Sequence, residues 1–482
     1  MKPSSSSFTS IQILQFSFLT LLTVLLVFHF LLSNTPFTYI LNIFLHNLHL
    51  SITCACCTLI SLYFFISNRP SPTFLVDFSC YKPDFDRKCS FEVCEYFLRR
   101  SARFTNESEN FMRGIYRKSG LGDETYVPPF IFNSNVESTL DYAVQEAEEG
   151  MFSSVDSIFN KTKLDPQQID VLIVTSGTFT SAPSLTSILV NRYNLRPDVK
   201  TFTLSGMGCS SGVLCVDLAA NVLRGCTRSK YALVVITESI SLNWYFGDDR
   251  SMLVTNCIFR VGCAAAIITN DPSQRRFSKM ELVNSLRTHH GADDSAYKAA
   301  FQKEDEFGNL GISLTKDLIR VAGANLRDHI RLLAPRVLPL SQLALYAYSV
   351  VRSALSQGEL KPIVPDFSTA FDHICIHTGG KAVIEQVSRV LKLGEEVTEP
   401  ARMSLHRFGN TSSSLVFYEL AYFEAKGRVK RGDKMWMLAF GTGFKVCSIV
   451  FKSLRDSPNN HDEIEMDNPW RDCIHRYPTR TW

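Results

Sequence analysis

The sequence predicts a layered α/β protein made of two related halves, carried behind an apolar N-terminal hairpin. Three observations predict this. Apolar, β-branched runs at 169–175, 231–237 and 264–268 alternate with segments of helical spacing, the pattern of a sheet covered by helices on both faces. Gly208-Cys209-Ser210-Ser211 and Gly409-Asn410-Thr411-Ser412 follow one plan: a glycine, a polar residue and two small hydroxyl residues opening an apolar helix. Val234 and Met435, each inside an apolar run, lie 25 residues beyond Cys209 and Asn410 (234 − 209 and 435 − 410). Such spacing suggests an internal duplication of a strand–turn–helix unit, although two unrelated α/β units would also accommodate it. Finally, residues 8–32 contain no Lys, Arg, Asp or Glu and are long enough to span a bilayer, and a second apolar run follows at 48–66.

At 482 residues the chain exceeds one small core. The reading is an anchor over 1–70, an N-terminal half over 71–273, a C-terminal half over 274–455 and a loosely attached polar tail over 456–482. A cleaved signal peptide is the rival for the N-terminus, but the first run exceeds a signal-peptide core and a second follows closely. Lys2 precedes the runs and Arg69 follows them with no Lys or Arg between. The positive-inside rule then leaves both ends, and the α/β part, in the cytosol. A formal charge of +3 without a basic run argues against nucleic acid. Fourteen cysteines, mostly scattered singly, form no zinc-finger spacing and no disulfide framework.

In order, 90–104 reads as an amphipathic helix, 125–129 as an extended connector, and 136–151 as a helix with its acidic residues outward. The strand at 169–175 follows. Residues 201–204 form a short strand leading to the glycine-rich turn and the helix that carries Val213, Leu214 and Val216. After the strands at 231–237 and 264–268, 318–333 reads as a helix. Pro335, Pro339, Pro362 and Pro365 then punctuate an irregular region. Residues 371–377 form a strand ending in Gly379-Gly380, 381–392 a helix, and the stretch beyond Asn410 an apolar helix to Lys426. Strands at 435–440 and 446–451 flank the Gly441-Thr442-Gly443-Phe444 turn and complete the core.

Cys209 stands where its turn becomes a helix. The helix dipole and free backbone N–H groups there favour a thiolate; a buried structural cysteine is the alternative. His377 and Asn410 offer an imidazole and a carboxamide at comparable places, the strand and turn ends where ligands gather in such folds. A thiol, an imidazole and an amide suit acyl transfer to sulfur followed by stabilisation of an enolate oxygen. His373 lies four residues from His377 and so faces the same side of a strand, but a zinc site is not expected from that spacing.

The segments Ser205-Gly206-Met207-Gly208-Cys209-Ser210-Ser211-Gly212, His377-Thr378-Gly379-Gly380-Lys381-Ala382-Val383-Ile384 and Arg407-Phe408-Gly409-Asn410-Thr411-Ser412-Ser413-Ser414 resemble the plant membrane-bound 3-ketoacyl-CoA synthases. These are the condensing enzymes of very-long-chain fatty acid elongation. More distantly the set is similar to chalcone synthases within the thiolase superfamily. The resemblance implies a thiolase-like αβαβα fold with Cys209 as nucleophile and His377 and Asn410 as its partners. It matches His289, His373 and His406 to further histidines of the family, with roles undefined. It implies that Gly441, Gly443 and Phe444 line the acyl thioester, with the Cys209 N–H as an oxyanion donor. Long-chain acyl-CoA and malonyl-CoA are the implied substrates, with no redox or metal cofactor. The implied setting is the endoplasmic reticulum membrane, beside the elongase reductases and dehydratase, and homodimers are usual for the superfamily. Thr378 stands where chalcone synthases carry proline, which favours elongation over polyketide synthesis. A membrane-tethered acyl-CoA-binding scaffold remains the non-catalytic alternative.

Overall fold

In the computed structural model the described residues are 52–53, 56–61, 71–133, 138–356, 363, 365–458 and 461–479. The first apolar run, 8–32, lies outside them. So does most of the second, of which residues 52–53 and 56–61 are helical. Among the described residues no helix is long and apolar enough to cross a membrane. The chain divides at Ser71/Pro72, and Pro72–Trp482 forms one unit.

That unit is organised by nine strands in the order β11-β12-β13-β8-β1-β7-β6-β4-β5. In chain order the strands are β1 (Phe74–Cys80), β2 (Lys88–Cys89), β3 (Thr125–Tyr126), β4 (Ile169–Ser176), β5 (Lys200–Ser205), β6 (Tyr231–Thr237) and β7 (Cys263–Thr269). They continue with β8 (Met280–His289), β9 (Ala300–Glu304), β10 (Leu310–Leu314), β11 (His373–Ile376), β12 (Lys434–Gly441) and β13 (Lys445–Ser453). The order contains the duplication. In one half β4 runs parallel to β6, and β6, β7 and β1 are successively antiparallel. In the other, β11 runs parallel to β12, and β12, β13 and β8 are successively antiparallel. The two sets join where Phe74 and Leu75 of β1 pair with Glu281 and Met280 of β8.

The helices that matter are α1 (Phe91–Ser101), α2 (Leu140–Thr162), α3 (Ser211–Arg224), α4 (Arg250–Ile258), α5 (Leu318–Val337), α6 (Leu340–Leu355), α7 (Glu395–Phe408) and α8 (Leu415–Ala425). Helix α3 packs on β4, β6 and β7 of its own half and on β12 and β13 of the other, and α8 packs on β1, β11 and β12. Outside them, α2 covers β1, β6 and β7, while α5 covers β8 and β13. The layers therefore alternate helix, sheet, central helices, sheet, helix. Every residue of α8 from Leu415 to Phe423 is buried, as expected of a helix walled by two sheets. The strands are apolar without alternation for the same reason: β7, Cys-Ala-Ala-Ala-Ile-Ile-Thr, is buried at every position.

Four sequence readings are corrected. Pro335 lies in the last turn of α5 and Pro339 immediately precedes α6, so most of the region read as irregular is helical. Proline needs no backbone N–H partner just before a helix, and in the last turn of α5 Pro335 removes one of the final hydrogen bonds without ending the helix before Val337. The segment before Asn410 is helix α7, whereas β5 precedes Cys209, so the two turns are entered differently. Glu146 on α2 is buried rather than outward, accepting hydrogen bonds from Ser239 Oγ (3.1 Å), Ile240 N (3.2 Å), and Ser241 N (2.9 Å) and Oγ (2.5 Å). Finally, the tail is docked. Trp470, Cys473, Ile474 and Tyr477 are buried, Trp470 Nε1 donates to Tyr418 O at 2.8 Å, and the indole packs edge-on against Phe408, Tyr422 and Tyr477. A polar composition concealed a few large aromatic anchors.

Candidate active site

Cys209 sits in a short 3-10 turn, Gly208–Ser210, between β5 and α3. Gly208 has φ +60°, and a Cβ there would meet Thr442 N at 2.6 Å. Only glycine combines that left-handed backbone with so close a neighbour. The neighbour is the β12–β13 turn, whose Thr442 Oγ1 also donates to Gly206 O at 3.4 Å.

From the second half, Ser412–Ser414 forms a matching 3-10 turn ahead of α8. Ser412 Oγ lies 3.4 Å from Cys209 Sγ and 2.9 Å from Glu238 Oε2, and its backbone N–H donates to Asn410 Oδ1 at 2.9 Å. Asn410 is clamped by its own backbone as well. Its N–H donates to Ile258 O at 3.0 Å, and its carbonyl accepts from Arg260 N at 2.9 Å. With Oδ1 engaged, the buried Nδ2 has no partner among the described residues. Two amide hydrogens are thus available in a site where unpaired buried donors are rare.

His377 immediately follows β11. Its N–H donates to Leu438 O of β12 at 2.8 Å, and Glu419 of α8 accepts the N–H of Ile376 at 2.7 Å. These bonds fix the chain at the point where the imidazole leaves it. Strand β12 then runs from Leu438 to Gly441 and the turn that rests on Gly206 and Gly208. His377 is 2 % exposed, with its Nδ1 unpartnered among the described residues.

Burial sets the electrostatics. It pushes the Cys209 thiol up to about 12, against the Ser412 hydrogen bond that lowers it and with the Glu238 carboxylate that raises it further. The thiolate expected from the helix terminus is therefore not the resting form, and a base is needed. Burial also holds His377 down to about 3, so the resting imidazole is neutral near pH 7. Glu238 is raised by burial, although Ser176 Oγ, Gly177 N, and Thr178 N and Oγ1 also donate to it. The sequence reading missed Glu238. The available signal was an acid at the end of the apolar strand 231–237, where functional groups of such sheets gather.

The remaining candidates lie elsewhere. His373 begins β11, about 13 Å of strand from His377, and its Nε2 is 2.9 Å from Asp433 Oδ2. His406 on α7 meets Tyr477 OH through Nδ1 at 3.0 Å and docks the tail. His289, exposed at the end of β8, accepts from Gly291 N at 3.0 Å and pairs across the ladder with Lys445. It borders the 441–444 turn, where the next residue, His290, donates its N–H to Phe444 O at 2.8 Å. Phe444 turns its ring into the core against Phe440, leaving Gly441 and Gly443 as backbone elements of that turn.

The profile of the FAE1/type III polyketide synthase-like proteins matches residues 65–355, and that of the 3-oxoacyl-[acyl-carrier-protein] synthase III C-terminal region matches 368–453. Relatives from Arabidopsis thaliana include 3-ketoacyl-CoA synthase 4, 43% identical over 433 residues (90% of this chain and 83% of the relative). They also include 3-ketoacyl-CoA synthase 17, 45% identical over 424 residues (87% and 85%), and 3-ketoacyl-CoA synthase 2, 45% identical over 460 residues (94% and 83%). A crystal structure of PKS-I from the brown alga Ectocarpus siliculosus superposes with a TM-score of 0.62 at 18% identity, covering 80% of this chain and all of that one. At that identity the likeness establishes the thiolase-like fold.

Proposed function

The chain belongs to the 3-ketoacyl-CoA synthases of the FAE1/type III polyketide synthase-like family, and on that premise we propose that it joins a long-chain acyl group to a malonyl-derived two-carbon unit. The observation that carries the reading is the Ser412 link between the two halves. It places a thiol beside the residue that anchors an amide whose nitrogen is free to donate.

In the first half-reaction, the thiol of Cys209 attacks the carbonyl of a long-chain acyl-CoA. Neutral His377 takes its proton, and CoA leaves as a thiol after receiving that proton back. In the second, malonyl-CoA loses carbon dioxide. Asn410 Nδ2 and His377 donate to the enolate oxygen that forms, and the carbanion attacks the Cys209 thioester. The products are a 3-ketoacyl-CoA two carbons longer, CoA and carbon dioxide, and the departing Cys209 thiolate takes up one proton from solvent to restore the thiol. The Cys209 N–H and the backbone of the 441–444 turn are the donors assigned to the thioester oxygen. None of these steps draws on a redox or metal cofactor.

We assign 8–32 and 48–66 to a hairpin in the endoplasmic reticulum membrane, with the condensing unit on the cytosolic side. An acyl chain partitions into lipid by about 0.8 kcal/mol per buried CH₂, so tethering the enzyme at the membrane places it where its substrate concentrates. The chain would there hand its product to the reductases and dehydratase of an elongase, as a homodimer. The direct test is incubation with long-chain acyl-CoA and 2-¹⁴C-malonyl-CoA. Wild-type protein is expected to form labelled 3-ketoacyl-CoA and Cys209→Ser none, because a serine hydroxyl is a far weaker nucleophile near neutral pH. Retained condensation by Cys209→Ser would remove Cys209 from the mechanism.

A further inference from the structure

We propose that Cys89 and Cys94 are a peroxide-oxidisable thiol pair, a modification site separate from Cys209 that closes to a disulfide. Cys89 ends β2. Ser90 then caps α1, accepting from Val93 N at 3.4 Å, and Cys94 lies in the first turn of that helix, its N–H on Ser90 O at 3.0 Å. Turning the strand directly into the helix brings the two sulfurs to 3.0 Å. A disulfide needs about 2.05 Å, so closure asks for about 1 Å of side-chain movement. Both cysteines are free.

Two neighbours make Cys94 the reactive member. Cys94 shares a hydrogen bond with Cys89, and the buried Arg260 guanidinium lies with Nη2 3.9 Å from the Cys94 sulfur. Together these lower the Cys94 thiol below its ordinary value, while Cys89 is raised. A cation and a donated hydrogen bond are what favour a thiolate. Cys94 is partly exposed, and an apolar cleft lined by Phe97, Met112 and Trp244 along with both thiols admits a small neutral oxidant. By contrast Cys80, Cys215, Cys263, Cys375 and Cys447 are buried and pushed up.

The chemistry balances with hydrogen peroxide as oxidant. The Cys94 thiolate attacks one peroxide oxygen, the O–O bond breaks, and hydroxide leaves to be protonated to water. The resulting sulfenic acid is attacked by the Cys89 sulfur, which forms the S–S bond and releases the sulfenic oxygen as a second water. Two thiols thus give two electrons to one peroxide. The pair lies close behind the active site. Arg260 N donates to Asn410 O, and its Nε donates at 3.0 Å to Thr125 Oγ1, which donates to Cys89 O at 3.2 Å.

The test is peroxide titration of the purified full chain, blocking with N-ethylmaleimide, and tryptic mass spectrometry without reduction. Cleavage after Lys88 and Arg99 places both cysteines in one peptide, 89–99. We expect that peptide two hydrogen masses lighter and unlabelled, taking two labels once it is reduced. In Cys89→Ser, with no resolving thiol, Cys94 is expected to trap dimedone. If both wild-type cysteines take label at a peroxide dose that has oxidised other thiols, or if Cys94 joins another cysteine, the proposal fails. Neither outcome depends on condensing activity.

Discussion

Ser412 is the residue on which the site turns. It holds φ +56°, a left-handed conformation that costs a non-glycine residue free energy and persists only where neighbours enforce it. Its N–H fixes Asn410 Oδ1, and its hydroxyl lies between Cys209 and Glu238. With one proton to give, that hydroxyl serves the carboxylate or the sulfur in turn. Because Oδ1 is held, the amide plane of Asn410 is set before substrate arrives, which is the preorganisation an oxyanion donor requires. Replacing one such donor costs about 2.7–4 kcal/mol. Asn410→Ala is therefore expected to slow malonyl-CoA decarboxylation and condensation by about a hundred- to thousandfold, measured as single-turnover carbon dioxide release. Acyl loading, for which we propose Cys209 and backbone donors, is expected to persist. If loading falls as far as condensation, the role of Asn410 is to hold the nucleophile.

At the scale of elements, the site exists because α3 and α8 start side by side between two sheets. Gly212, in the first turn of α3, approaches Ser413 so closely that a Cβ would strike its backbone carbonyl and then Ile236. Gly212→Ala is expected to lower stability by about 1–3 kcal/mol, the usual cost of overpacking, read as a shifted denaturation midpoint with an unchanged slope; an unshifted midpoint would mean that the two helices can separate. Much of this layer was legible in the sequence. Buried strands such as β6 read as apolar runs because both faces are covered, and the glycine, serine and threonine content of the two turns marked the sites where α3 and α8 begin. What hid was set by tertiary contact. Helix α7 replaces the strand that duplication suggested before Asn410, and α6 lay among prolines that proved to be helix-end residues. Helical spacing set Glu146 outward, yet four donors from 239–241 draw it in. His373 begins β11 and His377 follows its far end, a distinction that side-chain alternation does not register.

Across the whole molecule, distant segments are tied by groups that burial keeps off their ordinary protonation. Glu146 joins α2 to the loop beyond β6, and burial raises its carboxyl from 4.5 to about 7. A group whose folded value is raised contributes stability that is complete below its unfolded value and lost as pH rises through the folded one. Wild-type protein is therefore expected to lose stability relative to Glu146→Gln between about pH 4.5 and 7, and denaturation of both across that range checks the sign; a difference that does not change with pH would contradict it. The tail adds a second tie, clasping α8 through Trp470 and Asn468, whose Nδ2 donates to Ala421 O at 3.1 Å. All of this converges on one claim, that Cys209 carries the acyl group between the two half-reactions. Intact-mass analysis of the full chain after incubation with long-chain acyl-CoA alone tests that claim most directly. The account predicts one added acyl mass mapping to Cys209 by peptide sequencing, with stoichiometric CoA release, and discharge of the adduct when malonyl-CoA is added. A protein that binds acyl-CoA without any covalent adduct at Cys209, yet still forms 3-ketoacyl-CoA, would contradict it.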